Sequence, residues 1–384
     1  MPARYVLVPS AIVGGSKLET DAKGKVKVAN ETADKLTEES LLYLPTWNKQ
    51  EKYEPYKFLT HEDNALKADK NLPNLFKGND YETTNLSPKL GTEIKGIQLS
   101  QLDDAGKDEV ALLASQRGVL VFRDQDLIAK GPQNLVDYVK HYGTPHIHPT
   151  SGAPKEQPDI HVVLTGDTKE DPFATKNNLV QWHSDVSYEL NPTAISLLSV
   201  TNIPKEGGGD TTFVNAVEAY ERLSPLFKEL ISDLKAVHSG VDQANLSIVK
   251  GGVVKRHPVE NIHPVVRTTP TGQKVLYVNS GFTRKIVGLK DEESTFLLNF
   301  LFNHIRNGHD FQIRVNWQPN TVVVFDNRIV GHAAILDFDT TDRRLIIRSA
   351  ARGERPVHDL KDLNKPDENH VYEGPEYIGN HKDI

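Results

Sequence analysis

The chain has 384 residues, 45 Lys and Arg against 52 Asp and Glu, a formal net charge of −7 and no cysteine. An acidic balance argues against nucleic acid as the main partner, because that binding is driven by clustered cations neutralising phosphates. With no cysteine, disulfides, thiolate nucleophiles and sulfur-ligated metals are excluded, so any metal must be held by imidazole and carboxylate.

The first apolar run, Tyr5 to Val13, is broken by Pro9 and is too short to span a bilayer, and no later run approaches the necessary length. A soluble, cytoplasmic protein with no membrane partner is expected. Residues 1–84 are rich in Lys, Glu, Asp and Asn, with aromatic islands at Tyr43, Trp47, Tyr53, Tyr56 and Phe58. They read as an N-terminal arm draped over a core or packed across a second subunit, so a homo-oligomer is expected. From Ser87 the texture changes. SPKLGTEIKGIQL alternates as a half-buried strand, DDAGKDEVALLASQRG carries a capped helical period, and GVLVFRDQ reads as a buried strand. Further strands read at 160–166, 194–200, 211–215, 275–279, 311–317, 321–327 and 344–350. Helices read at 215–223, 225–234 and 292–305. Many irregularly spaced strands with few helices fit an α+β protein on an antiparallel barrel or jelly roll. The folded domain is taken as 85–355, and the polar stretch 356–384 as a C-terminal tail.

The chemistry begins with His-x-Asp, because residues i and i+2 of a strand face one side and can share a metal. Chance supplies such pairs readily, and three occur: His61/Asp63, His183/Asp185 and His381/Asp383. The first lies in the charged arm and the third in the tail, where solvated polar residues are the simpler reading. Only His183/Asp185, in VQWHSDVSY, sits within the domain. The second element is His332, after the apolar strand and turn of TVVVFDNRIVGH. A lone His is more often a hydrogen-bonded core residue, yet two His and one carboxylate make the facial set of non-haem Fe(II), which leaves positions open for substrate and dioxygen. The third is Arg344 and Arg348, four apart on an apparent strand with Arg343 pointing away. Two guanidinium groups on a barrel interior require anions, and their forked geometry suits carboxylate or sulfonate. The fourth is Gly207-Gly208-Gly209-Asp210-Thr211, a turn into a strand, where the Thr211 hydroxyl can donate to a carboxylate; alone this signal is weak. The histidines 257, 263, 304 and 309 read as surface or capping residues, and Trp182 and Trp317 as core aromatics.

Taken together, WHSD at 182–185, GGDT at 208–211, Trp317 and Pro319 with VVVFDNR at 322–328, His332, and the Arg344/Arg348 pair resemble the taurine dioxygenase family. These are Fe(II)- and 2-oxoglutarate-dependent oxygenases with a double-stranded β-helix fold. The resemblance covers about residues 85–355. Within the family, LPTWNKQEKYEPYKF in the arm and HIHPTSG at 146–152 look nearest to the fungal sulfonate dioxygenases. The resemblance implies that His183, Asp185 and His332 bind Fe(II) and are catalytic, and that Arg344 with Thr211 holds the distal carboxylate of the cosubstrate 2-oxoglutarate. It further implies that Arg348 and His148 grip a substrate sulfonate and that Phe282 lines the same pocket. Two positions depart from the taurine-specific pattern. Ser151 stands where those members carry Tyr, and Leu179 where they carry Asn, which implies a less polar substrate pocket.

The function this implies is oxygenation of an alkylsulfonate at the carbon beside sulfur, consuming dioxygen and yielding aldehyde, sulfite, succinate and CO2. A sulfate ester, an aryloxy-carboxylate, or an amino or carboxylic acid is the alternative anionic substrate. A non-catalytic jelly-roll module and a zinc hydrolase on the same ligands are the other classes; the second leaves Thr211 and the arginines unexplained.

Overall fold

The computed structural model describes residues 18–20, 25–28, 36–48, 50–78, 80–166, 180–249, 252–339, 342–367 and 374–380. Strands β1 (Leu18–Thr20), β2 (Lys25–Val28) and β3 (Thr46–Asn48) form a small antiparallel sheet. The main architecture is two facing sheets. In chain order, β4 (Glu82–Asn85), β5 (Thr92–Lys95), β6 (Val119–Phe122), β7 (Ile160–Thr165), β8 (Thr193–Asn202), β16 (Val322–Asp326) and β18 (Arg344–Arg352) build the larger one. Their spatial order is β4-β5-β6-β16-β8-β18-β7, antiparallel throughout except between β5 and β6. The smaller sheet places β9 (Thr211–Asn215) between β15 (Gln312–Val315) and β17 (Val330–Ala334). This is the double-stranded β-helix, and the α+β class follows from the helices packed outside it. A third sheet sets β10 (Lys235–Ser239) between β11 (Glu260–Pro264) and β14 (Thr283–Ile286), beside the ribbon β12 (Val266–Thr268) and β13 (Lys274–Leu276).

Strand alternation sorts the core into layers. On β16, Val322 and Val324 join Leu120, Phe122, Leu345 and Ile347 on the helix-covered face, whereas Val323 and Phe325 join Val121, Val200 and Phe213 between the sheets. The covering helix Asp104–Arg117 starts where the Asp103 carboxylate accepts from Gly106 N at 2.9 Å. It stops at Gly118, whose φ of +72° lets its N–H reach the Ala114 carbonyl. Its Val110, Ala111 and Ala114 seat on the large sheet's outer face. Both faces of β18 are therefore buried, which settles how its arginines and its Leu345 and Ile347 are shared between two interiors.

Some expected elements are shorter than read. The run at 275–279 is strand only to Leu276; beyond it Asn279 Oδ1 accepts from Phe282 N at 2.8 Å and the chain turns. Helices Pro132–Lys140 and Val241–Val249 and strands β10, β11 and β14 were not legible in the sequence. Residues 43–48 and 50–66 of the arm pack on the core through Tyr43, Trp47 and Ala65.

Candidate active site

One mouth of the β-helix is not filled by side chains and encloses a cavity of about 180 Å³. Because β7 and β18 run antiparallel with Arg348 opposite His161, Ile346 opposite Val163 and Arg344 opposite Thr165, alternate residues of both strands line this cavity. The smaller sheet contributes Thr211 from β9 and His332 from β17, and Leu246 with Gln243 comes from helix Val241–Val249.

His183 and His332 are neighbours through the backbone. His183 N donates to the His332 carbonyl at 3.0 Å, and His332 N donates to the His183 carbonyl at 2.8 Å. His183 makes only an isolated bridge, to His332, and Asp185 lies in a turn, so the strand reading of the i, i+2 pair does not hold; the carboxylate is aimed by that turn, in which Val186 takes φ +46°. A β-branched residue there is strained by about 1–3 kcal/mol, a cost met at sites where geometry is imposed. The ligand atoms of His183, Asp185 and His332 all lie within 4.8 Å of one another, the one such trio of His and carboxylate groups among the described residues. His183 Nε2 and His332 Nε2 lie 3.8 and 3.7 Å from Asp185 Oδ1.

The donor chemistry fits a divalent cation. His183 Nδ1 donates to the Gln181 carbonyl at 3.0 Å, so Nε2 is the nitrogen turned toward Asp185. Burial, and then the neighbouring His183, depress the His332 pKa to about 3, which keeps that ring neutral. Burial would push the Asp185 carboxyl up, but the adjacent Arg348 guanidinium is the largest of the charges that outweigh it, and the pKa falls to about 2. Asp185 Oδ2 is buried and has no hydrogen-bond partner. An ionised, half-satisfied carboxylate beside the neutral His332 ring and the Nε2 of His183 suits a metal ion.

The arginines differ in their partners. Arg348 donates to Asp185 Oδ1. Arg344 is 2% exposed, donates from Nη2 to the Gly209 carbonyl at 2.5 Å, and has no partner for Nε. Burial lowers its pKa to about 10, with Asp210 and Asp337 opposing that effect. Both of those carboxylates are engaged by Arg314 at 2.5 Å. A charged group left in this state calls for an external anion. Gly209 permits the approach: its φ is +67° and a Cβ there would lie 2.7 Å from Arg344 Nε. Trp317 Nε1 donates to Thr211 Oγ1 at 3.3 Å, so the hydroxyl proton of Thr211 remains for a ligand in the cavity. His148 and Phe282 line the same space, Phe282 edge-on to His183 with ring centroids 6.0 Å apart. Ser151 does not line it; it lies behind His148, with its Oγ 2.8 Å from His148 Nδ1. Leu179 lies outside the described residues.

A model of the family described as "Taurine catabolism dioxygenase TauD, TfdA family" matches residues 82–350. The chain belongs to this family. It is 45% identical over 335 residues to the alpha-ketoglutarate-dependent sulfonate dioxygenase of Saccharomyces cerevisiae, covering 85% of this chain and 81% of that one. It is 40% identical over 322 residues to the alpha-ketoglutarate-dependent dioxygenase cnsP of Penicillium expansum, covering 82% of this chain and 86% of that one. Among solved structures, a taurine dioxygenase from Burkholderia xenovorans superimposes with a TM-score of 0.58 at 28% identity, covering 73% of this chain and 93% of that chain.

Several residues around this TauD/TfdA-type site carry no functional signal in the sequence. Asn327 clamps the ligand turn: its Oδ1 accepts from Asp185 N at 2.7 Å and its Nδ2 donates to the Asp185 carbonyl at 3.0 Å. Next to it, the buried Arg328 pairs with Asp326 at 2.7 Å and with Asp63 at 2.6 Å. Asp63 and His61 are thus not solvated arm residues; they are buried, and Asp63 serves as a counter-ion to the strand end that holds Asp185. Tyr56 of the arm has the Arg256 and Arg352 guanidinium carbons each 3.9 Å from its ring centroid, and its hydroxyl accepts from Ile147 N at 2.8 Å, beside His148. His263 is likewise buried, on β11, with Nε2 2.9 Å from the Glu189 carbonyl. Arm contacts are long-range in sequence and carry no local signal. His161 did carry one, as a polar side chain on the inward face of IHVVLT.

Proposed function

We propose that this dioxygenase acts on an organosulfonate with Fe(II) and 2-oxoglutarate, and that its residues divide as follows. His183, Asp185 and His332 hold the Fe(II). Arg344 and Thr211 take the distal carboxylate of 2-oxoglutarate, and Arg348 with His148 takes the sulfonate. Phe282 shapes the apolar side of the pocket, while Ser151 acts behind His148. The observation that carries this reading is the convergence of two imidazoles and a carboxylate at a cavity whose walls supply two separate guanidinium groups. An anionic cosubstrate and an anionic substrate held side by side need two anion anchors, and the cavity wall supplies two.

When bound, Fe(II) with 2-oxoglutarate and dioxygen supplies the oxidant that replaces a C–H bond by C–OH, with 2-oxoglutarate leaving as succinate and CO2. The chain itself orients and insulates. Arg344 and Arg348 lie on one face of β18, so they fix cosubstrate and substrate along a common line. Val163, Val186, Leu198, Leu246 and Ile346 keep the intervening space apolar. Hydroxylation beside sulfur gives a 1-hydroxysulfonate; loss of its hydroxyl proton forms the C=O bond as the C–S bond breaks, releasing sulfite and an aldehyde. The exposed apolar side chains Leu226, Leu230, Phe296 and Phe300 support the expectation of a homo-oligomer.

Purified protein with ferrous iron is expected to form succinate and sulfite in parallel when an alkylsulfonate is added. Succinate formation with sulfate esters or carboxylates but not with sulfonates would move the assignment to another anion. Arg344→Leu is expected to raise the KM for 2-oxoglutarate about 100-fold and leave that for the sulfonate nearly unchanged, since it removes a charge-assisted, forked contact to one ligand only.

A further inference from the structure

The pocket holds an imidazole that the reading above does not use. His161 lies across the strand pair from Arg348, lines the same cavity as His148, and packs against that ring with centroids 4.4 Å apart. Both rings are tied from behind to one hydroxyl: Ser151 Oγ is 2.8 Å from His148 Nδ1 and 2.7 Å from His161 Nδ1.

The proton positions follow from counting donors. The backbone N–H groups of Thr150 and Ser151 point at His148 Nδ1, at 3.3 and 3.1 Å, so that nitrogen is an acceptor and carries no hydrogen. His148 is therefore the Nε2–H tautomer. A hydroxyl oxygen 2.8 Å from a bare nitrogen must give it its proton, which uses the single hydrogen that Ser151 Oγ has. The contact to His161 is then made by His161 Nδ1–H donating to Ser151 Oγ, and His161 Nε2 is bare. Burial, followed by the positive charge of Arg348, holds the His161 pKa well below its ordinary value, so the ring remains neutral.

We propose that His161 is a substrate-binding, specificity-determining residue: Ser151 fixes it in the tautomer opposite to that of His148, so the anion subsite presents one donor ring and one acceptor ring. This rests on the reading of Arg348 and His148 as the sulfonate anchor. A sulfonate carries no proton of its own, so its oxygens match Arg348 and His148 Nε2–H but oppose the lone pair of His161. That lone pair is satisfied by an O–H or N–H borne on the carbon chain close to the anionic head. The preferred substrates are accordingly sulfonates with a hydroxyl or amine near sulfur, selected over equally sized alkyl sulfonates.

Two measurements test this. In 15N-histidine-labelled, metal-free protein, with the rings assigned through His148→Gln and His161→Gln, two-bond 1H–15N spectra are expected to show the proton on Nε2 of His148 and on Nδ1 of His161. In turnover, kcat/KM for 2-hydroxyethanesulfonate is expected to exceed that for propane-1-sulfonate by about tenfold or more, because the methyl isostere leaves a buried acceptor unpaired. His161→Phe is expected to reduce the ratio to near one, and Ser151→Ala, which keeps the ring but frees its tautomer, to reduce it in the same direction. A proton on Nε2 of His161, or a ratio unaltered in both variants, overturns the proposal. Failure of both sulfonates to give succinate overturns the underlying assignment of the anion site instead.

Discussion

Replacing His332 by alanine is expected to lower sulfonate-dependent succinate formation by about three orders of magnitude or more, with the Fe(II) content of the protein falling in parallel. The substitution isolates the ligand from the fold. The two hydrogen bonds joining positions 183 and 332 are made by backbone atoms and survive the loss of the ring. Phe213 and Phe325 lose a packing partner, with centroids 5.8 and 5.1 Å away, which costs about 2–3 kcal/mol as a partly collapsible cavity. Iron content by metal analysis, succinate yield and urea unfolding of the variant together separate the two effects. Retained iron and activity in a folded variant would remove His332 from the metal site.

Arg328→Met is expected to have the largest effect on stability, about 3–5 kcal/mol, although the residue touches neither cavity nor ligand atom. Its guanidinium and that of Arg267 serve a buried set of three carboxylates: Asp326, Asp63 and Glu354. Losing Arg328 leaves three negative groups to one partner. Asp63→Ala removes one negative group and leaves two guanidinium groups facing two carboxylates, so its cost is smaller, about 1–2 kcal/mol. Burial works to raise the Asp63 pKa, but Arg328 more than offsets this and the folded-state value is lowered. Its stabilising contribution is therefore complete above the ordinary carboxylate pKa of about 3.9 and is lost as pH falls below it. The gap between wild type and Asp63→Ala, measured by urea titration, is expected to narrow on acidification below about pH 4.

What could be read from the chain was what repeats locally. The alternation of RLIIRSA put Arg344 and Arg348 on one face and Leu345 and Ile347 on the other, and the structure has the first pair lining the cavity and the second beneath the helices. The strand 211–215 was legible to the residue because TTFVN combines β-branched residues with a preceding glycine turn. The spacing of His183 and Asp185 points to the right pair for a different reason, since an isolated bridge and a turn braced by Asn327 stand where a strand is expected. Partnerships between distant segments had no local trace. Asp63 and Arg328 are 265 residues apart, and nothing in a charged stretch of the arm marks one carboxylate as buried. Likewise, Ser151 was read only as an absent tyrosine, because its two imidazole partners lie on different segments.

The contact between Arg348 and Asp185 would couple the two binding events proposed for them. While the carboxylate is uncompensated, the guanidinium is engaged as its counter-ion and is a poor receptor for a second anion. On the roles proposed for these residues, a cation held by Asp185 would relax that restraint and leave the Arg348 charge to an anionic headgroup. Linkage is reciprocal, so a docked anion must in turn tighten retention of the cation. On that proposal, such coupling would favour a loading order in which the cation settles before the molecule to be oxidised arrives.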